Sequence, residues 1–545
     1  MTMLPVFSWI GNAAAALFGK HGAVTAQAAQ AGCSRQTVYD HANKVEQAVA
    51  EAQLPGPRRA DLLDENRRLR DEVGTLRRQV ADQQRQLEDA VLLSTQKKER
   101  LAVETHAMGL SFPQIEVVFA LLLAPDRPGA PARQGPKRST IARWVLRHAK
   151  QAGKVLSVVD EHTRPAAEEM TLDEIFFRTQ PVLMGVEPHS MALLLCARAK
   201  DRKGKTWQQA LLPFTRMSYA ISDQGSGLQK GLRGLRAARA AAAAQAQTPG
   251  EIAPKPMLAL DIGLDVFHIE HEARPLLSRA WRKVKARWDK WEKAERRWRE
   301  AREQAGGGDD RKYAPAARAA WGKVEACWEW YERQEKAWQR AKAALNVFGA
   351  DGQLNDREQA RAELAAACKA LVGSAWAKVR RMLLDERTLT FLDRLQRQLA
   401  VAEPRAELRA ALVRLWGLEH GRRTGPRLGT AVVLRVVCAR LAKDWGAAYA
   451  RVSAALGRVV RASSAVECVN SVLRMQQARQ RTISQEMLDL KRLYWNCRAF
   501  RSGKRRGKCP YQLLGAALTT YDFWDLLRRD PDELRKELSS QRLTI

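Results

Sequence analysis

Glu169-Met170-Thr171-Leu172-Asp173-Glu174-Ile175-Phe176-Phe177 sets apolar and β-branched side chains on both sides of the acidic pair Asp173-Glu174. A run this short and this apolar predicts a strand, with Asp173 at its middle. Working outward, similar runs at Pro181–Val186, Met191–Ala197, Ser218–Ser222 and Met257–Ile262 predict four more strands. Helical patterns at Trp207–Leu212 and Leu228–Ala244 lie between them. Three consecutive strands, then a helix, a strand, a helix and a strand make a mixed α/β layer whose first three strands are antiparallel. The remainder of the chain reads as helix. The expected fold class is therefore multidomain and mostly α, with a five-stranded α/β core.

The chain has 545 residues, enough for about three or four domains. Lys and Arg number 92 against 60 Asp and Glu, a formal charge of +32, which points to a polyanionic partner. No stretch approaches ~18 uninterrupted apolar residues, and Met1–Phe18 lacks the basic start of a signal peptide, so a membrane partner is not expected. Eight cysteines are scattered without a C-x-x-C pair, as reduced thiols of a cytosolic protein would be.

Near the N-terminus, Thr25–His41 combines small residues, a turn at Gly32, a helix cap at Ser34 and then Arg35, Gln36 and Thr37. That is the layout of a helix-turn-helix presenting a recognition helix, with an ordinary helical hairpin as the alternative. After Pro55-Gly56-Pro57, Leu62, Leu69, Leu76 and Gln83 alternate with Asn66, Val73, Val80 and Leu87 at heptad spacing. This predicts a coiled coil of roughly four heptads that pairs with a second copy, or else a lone charged helix. Ser111–Ile115 and Ser139–Trp144, the latter carrying Arg143, open two helices of a second helical module. From Ala273 to about Val460 the pattern is helical and charged. Trp281, Trp288, Trp291 and Trp298, then Trp321, Trp328, Tyr331 and Trp338, recur at spacings of seven, three and seven. Broken at Gly306-Gly307-Gly308, this reads as an antiparallel hairpin whose arms interlock tryptophans, most of them as core packing. The implied domains are 1–56, 57–105, 106–160, 161–272, 273–460 and 461–545.

Three acids far apart in the chain each occupy a distinctive context. Asp173 is mid-strand, Asp223 ends Tyr219-Ala220-Ile221-Ser222-Asp223, and Glu467 opens the amphipathic stretch Ser463–Arg474. Read singly, each has a plain alternative: a turn at Asp223, a capping box at Ser464–Glu467, or Glu174 as an edge charge. Asp261 and Asp265 also lie near a strand end and compete with Asp223. The segments Leu172-Asp173-Glu174, Ser222-Asp223-Gln224-Gly225, Leu264–His268 and Glu467-x-x-Asn470-Ser471 together resemble the DDE transposases of bacterial insertion sequences, in the retroviral-integrase superfamily. Tyr494–Phe500, Gly503-Lys504-Arg505 and Pro510–Gly515 resemble that group's C-terminal tail. His268 and Glu467 are 199 positions apart, and an inserted helical domain before the glutamate helix belongs to the resemblance.

The resemblance implies an RNase H-like core, split by that insertion, that cuts DNA at an element's ends and joins the freed 3′ hydroxyls to target DNA. It implies Asp173, Asp223 and Glu467 as ligands of two Mg2+ (or Mn2+) ions held ~3.5–4 Å apart, with His268 auxiliary. Arg35, Gln36, Thr37, Arg143, Arg474, Arg481, Lys504, Arg505 and Arg506 are the expected DNA contacts, and Lys491 and Arg492 join them as phosphate clamps. The partners expected are terminal-repeat and target duplexes and a homodimer or higher homo-oligomer on DNA, in a bacterial cytoplasm. A DNA-binding regulator descended from a transposase, or a nuclease or resolvase without strand transfer, are the competing classes.

Overall fold

In the computed structural model, which describes residues 6–52, 59–88, 93–123, 135–245, 259–304, 312–349, 352–420, 426–477 and 481–541, the chain forms two compact units. The first begins with α1 (Val6–Phe18), α2 (Ala23–Gln30) and α3 (Arg35–Ala52). Gly32 takes φ 60°, which only a residue without Cβ adopts freely, and this turns the chain from α2 into α3. Ser34 Oγ accepts from Thr37 N at 3.1 Å, satisfying the first turn of α3 as the sequence predicts. Fully buried Asn12 ties the three helices: its Nδ2 lies 2.9 Å from His41 Nδ1, and its Oδ1 accepts from Gln27 Nε2 at 3.0 Å. α4 (Arg59–Glu88) is one unbroken helix on which Leu62, Leu69, Val73, Leu76 and Val80 are all exposed.

The second unit opens with α5 (Thr95–Met108), α6 (Phe112–Leu122) and α7 (Arg138–Thr163). A capping box between Ser111 and Gln114 starts α6. The sheet follows as β1 (Glu169–Phe177), β2 (Gln180–Glu187), β3 (Ala192–Arg198), α8 (Gly204–Leu211), β4 (Tyr219–Ser222), α9 (Ser226–Gln245) and β5 (Asp261–Leu264). Its spatial order is β3-β2-β1-β4-β5, with β1, β2 and β3 antiparallel and β1, β4 and β5 parallel. All five strands and the antiparallel start are where the sequence pattern puts them, within a few residues. Strand alternation then sorts β1: Met170 and Leu172 pack with Trp207 and Leu228 of α8 and α9, whereas Ile175 and Phe177 join the α5–α7 side.

β5 runs directly into α10 (Val266–Gln304), which pairs with α11 (Ala314–Ala344). Trp281 lies 5.7 Å from Trp328 and 5.4 Å from Tyr331, and Trp291 lies 4.8 Å from Trp321, so the arms interlock their aromatics as predicted. Gly306–Gly308 lie outside the described residues. The hairpin's first arm starts at Val266 rather than near Ala273, making the insertion continuous with the sheet's edge strand. The insertion continues through α12 (Arg357–Ala370), α13 (Ala377–Leu383), α14 (Thr390–Ala402), α15 (Ala406–His420), α16 (Pro426–Leu441) and α17 (Trp445–Gly457), with cores of its own.

The chain returns to the sheet as α18 (Ser464–Gln477) and α19 (Gln485–Cys497), and closes with α20 (Pro510–Leu514), α21 (Phe523–Leu527) and α22 (Pro531–Gln541). α18 crosses β1 and β2, while α19 lies against α7 and β3. Two expected phosphate clamps are corrected here. Arg492 is 2% exposed, donates to both oxygens of Asp160 on α7 and to the Leu193 carbonyl, and so staples α19 to α7 and β3. Lys491 Nζ is buried against the His106 carbonyl at 3.1 Å, and burial pushes its pKa down to about 7. Both cations are spent inside the fold. Among the described residues no helix is long and apolar enough to cross a membrane.

Candidate active site

Strand register brings the acids together. Leu172 pairs with Ser222 across β1 and β4, and Ser222 with Leu264 across β4 and β5. The residues that follow, Asp173, Asp223 and Asp265, therefore stand in a row, Asp173 in the middle of β1 and the other two just past the ends of β4 and β5. Asp173 takes the α18 side of the sheet, where its Oδ2 accepts from Asn470 Nδ2 at 2.6 Å. Its neighbour Glu174 points the other way, to Arg202 at 2.9 Å and the Trp207 indole at 3.4 Å. Period-two alternation thus puts two acids that are adjacent in sequence on opposite faces of the sheet, and because β1 is the central strand Glu174 is a paired acid rather than the edge charge the sequence allowed.

Between the competing second acids the hydrogen bonds discriminate. Asp265 is fully buried and accepts from Ser463 N at 2.8 Å, Phe267 N at 2.9 Å, Ser463 Oγ and the ring of His268. Its oxygens are occupied in joining β5 to the start of α18. Asp261 sits at the far end of β5, paired with Arg397. Asp223 is half-buried, and its Oδ1 accepts from Gly225 N at 2.9 Å. A Cβ at Gly225 would come within 2.9 Å of that oxygen and would shift the Asp223 carboxylate.

Electrostatics ties Glu467 and His268 to the same place. Burial first, and then the charges of Glu467 and Asp223, push the Asp173 carboxyl up to about 7, against the opposing Glu174 N–H and His268. Burial alone would lower His268, but its hydrogen bond to Asp265 and the charges of Asp265, Asp223 and Asp173 raise it to about 9. Arg474 donates to Glu467 at 3.0 Å and stands 3.8 Å from Asp173, bridging two of the acids.

Arg474, expected as a DNA contact, is thus a neighbour of the carboxylates. Asn470 stands in a quoted motif but carries no role that its sequence context betrays. Its Oδ1 is buried and has no partner among the described residues, an open acceptor on a side chain bonded to Asp173. Gln229 is a further residue that sequence reasoning missed: it donates to Ser222 Oγ and the Asp223 carbonyl and accepts from Arg387 of the insertion. Only proximity identifies it.

The donor set, three carboxylates and an unpartnered amide oxygen, suits a hard divalent cation. Among the described residues no group of three or more His, Cys, Asp or Glu is placed to hold a metal ion, and the Arg474 guanidinium lies beside Glu467 and Asp173. The remaining expected DNA contacts are dispersed. Arg35 and Gln36 are exposed and Thr37 half-buried at the start of α3 in the first unit; Arg143, Arg481, Lys504 and Arg506 are exposed in the second. Arg505 donates to the His189 and Pro188 carbonyls, both at 2.9 Å, and anchors the tail to the β2–β3 turn. Comparison of the chain with protein-family models, curated proteins and solved structures finds no match.

Proposed function

We propose that this protein is a DDE-type DNA transposase that cleaves DNA at element ends and joins the freed 3′ hydroxyls to target DNA, with an RNase H-like catalytic core. The observation that carries the reading is the convergence of Asp173, Asp223 and Glu467, drawn from the middle of β1, the end of β4 and a helix more than 240 residues beyond Asp223 in the chain, where burial and the charges of Glu467 and Asp223 raise the proton affinity of Asp173. Carboxylates are crowded at this cost where a cation is to be bound. The sheet order β3-β2-β1-β4-β5, the helical insertion between β5 and α18, and the charge of +32 all agree with it.

Asp173, Asp223 and Glu467 would hold two Mg2+ or Mn2+ ions, which supply Lewis acidity to phosphodiester cleavage. The protein's own groups do the rest. Asn470 orients Asp173. Asp265 keeps His268 charged beside the carboxylates, where its ring N–H is available to a phosphate oxygen. Arg474, still half exposed, offers a second cation to the DNA backbone. Arg35, Gln36 and Thr37 read terminal-repeat DNA, and α4 pairs with a second copy so that two ends meet.

The bridge from Arg474 to Asp173 and Glu467 favours one other reading, a DNA-binding regulator that keeps the fold without the chemistry. Cleavage and strand transfer on end-containing duplex with Mg2+ decides between them. Asp173→Asn, Asp223→Asn and Glu467→Gln each lose at least ~10^3-fold in rate under the transposase reading. DNA binding without cleavage by the unsubstituted protein supports the regulator, and activity surviving Asp223→Asn removes that residue from the site.

A further inference from the structure

The Trp-rich hairpin ends in a cavity that packing does not use up. Trp291, Glu295 and Trp298 of α10 face Ala314, Ala317, Arg318 and Trp321 of α11 around a space of about 430 Å3, whose lining is mostly apolar. Alanines at two of the facing positions leave the room that the indoles enclose. Trp298 differs from Trp288 and Trp328 of the same hairpin in one respect. The indole N–H groups of Trp288 and Trp328 each donate at 2.8 Å to a glutamate four residues on, Glu292 and Glu332. Four residues after Trp298 stands Arg302, whose guanidinium lies 5.9 Å from the ring centroid. The Trp298 Nε1 is buried and meets no acceptor among the described residues.

A buried donor without a partner is destabilising, and a guest with an acceptor would relieve it. Flat aromatic walls call for a flat guest. Arg318 on the lining and Arg302 over Trp298 disfavour a cationic guest such as a methylated ammonium. Between Trp281 and Gln304 there are ten Lys and Arg against five Asp and Glu, so a guest attached to a polyanion is favoured. Trp281, Trp288, Trp321 and Trp328 keep 36–44% of their surface exposed along the same hairpin. We infer that this cavity binds an unpaired nucleobase of single-stranded DNA, stacked among Trp291, Trp298 and Trp321 and accepting from Trp298 Nε1. Trp298 lies thirty residues beyond His268 on one helix, roughly 45 Å at 1.5 Å per residue, so the base held is remote from the carboxylates.

The inference rests on the nucleic-acid part of the proposed function and not on cleavage, so binding is measured in EDTA. The probes are a fluorescent dT oligonucleotide and an all-abasic oligonucleotide of equal length, which share phosphates and differ in bases, titrated with the full chain at fixed salt. The expected result is ~5–100-fold tighter binding of dT, as stacking of a base gives. Trp321→Ala closes most of that gap. Arg302→Glu supplies Trp298 with the acceptor that Trp288 and Trp328 have, lowers both affinities through charge, and narrows the gap several-fold without removing a ring. Equal affinity of the two probes for the unsubstituted protein overturns the inference. A gap undiminished in both variants overturns it as well. A base-dependent gap in a protein that fails to cleave leaves this site standing and sinks the transposase reading alone.

Discussion

Asp173 governs what can be measured at the level of single residues. Its carboxyl binds a proton more tightly in the folded chain than in the unfolded one, so the stability it contributes is fully present below about pH 4 and is lost as pH rises through about 7. In EDTA, thermal unfolding of the unsubstituted protein should therefore weaken over that window by up to a few kcal/mol. Asp173→Asn should flatten the profile and melt higher at pH 8. A variant melting in parallel with the unsubstituted protein from pH 4 to 8 would show that the fold does not raise the proton affinity of Asp173. Mg2+ at pH 8 should raise the melting temperature of the unsubstituted protein by several degrees, because an ion bound only by the folded state stabilises it, and should leave Asp173→Asn unmoved. Calorimetry with and without the ion reads this directly.

At the scale of elements, two joints deserve variants. Ser463 couples the end of β5 to the start of α18 by giving both its N–H and its hydroxyl to Asp265. Ser463→Ala leaves every proposed ligand in place but removes the hydroxyl donor to a buried carboxylate, so a loss of about 1–3 kcal/mol is expected. Cleavage should fall with it, because Glu467 rides on α18. Unchanged unfolding in urea would mean that the Ser463 hydroxyl does not stabilise the joint. α4 poses a separate question. Its exposed Leu69 and Leu76 share a heptad position with Leu62, and a solitary helix of this polarity gains most of its stability from a partner. Leu69→Lys with Leu76→Lys should turn a dimer into a monomer in sedimentation. A wild-type monomer at micromolar concentration would remove the pairing role.

Across the whole molecule the net charge of +32 sets the affinity for DNA and its response to salt. The logarithm of the binding constant should fall linearly with the logarithm of salt concentration, and Lys504→Ala or Arg506→Ala should each reduce the slope by about 0.9 if that side chain meets a phosphate. Arg505→Ala should act differently, lowering stability with little change in slope, since Arg505 is engaged by the carbonyls of Pro188 and His189. A slope change for Arg505→Ala equal to that for Lys504→Ala would reverse this division.

Sequence alone was sufficient for whatever depends on local periodicity. Apolar runs of strand length marked all five strands, and heptad and seven-three-seven spacings marked α4 and the two interlocked arms, because period and length are properties of neighbouring residues. Asp173, Asp223 and Glu467 were recognisable by their local contexts. For the proposed site, the preference for Asp223 over Asp261 and Asp265 draws on tertiary structure, since it turns on which end of β5 Asp261 and Asp265 occupy and on donors that Ser463 brings to Asp265 from 198 residues away. The same holds for Arg492 and Lys491, which look like surface cations in sequence and are buried by α7, β3 and α5. A residue's period shows which face of its element it takes; only the packing of distant elements decides whether that face meets water, a carboxylate or a carbonyl.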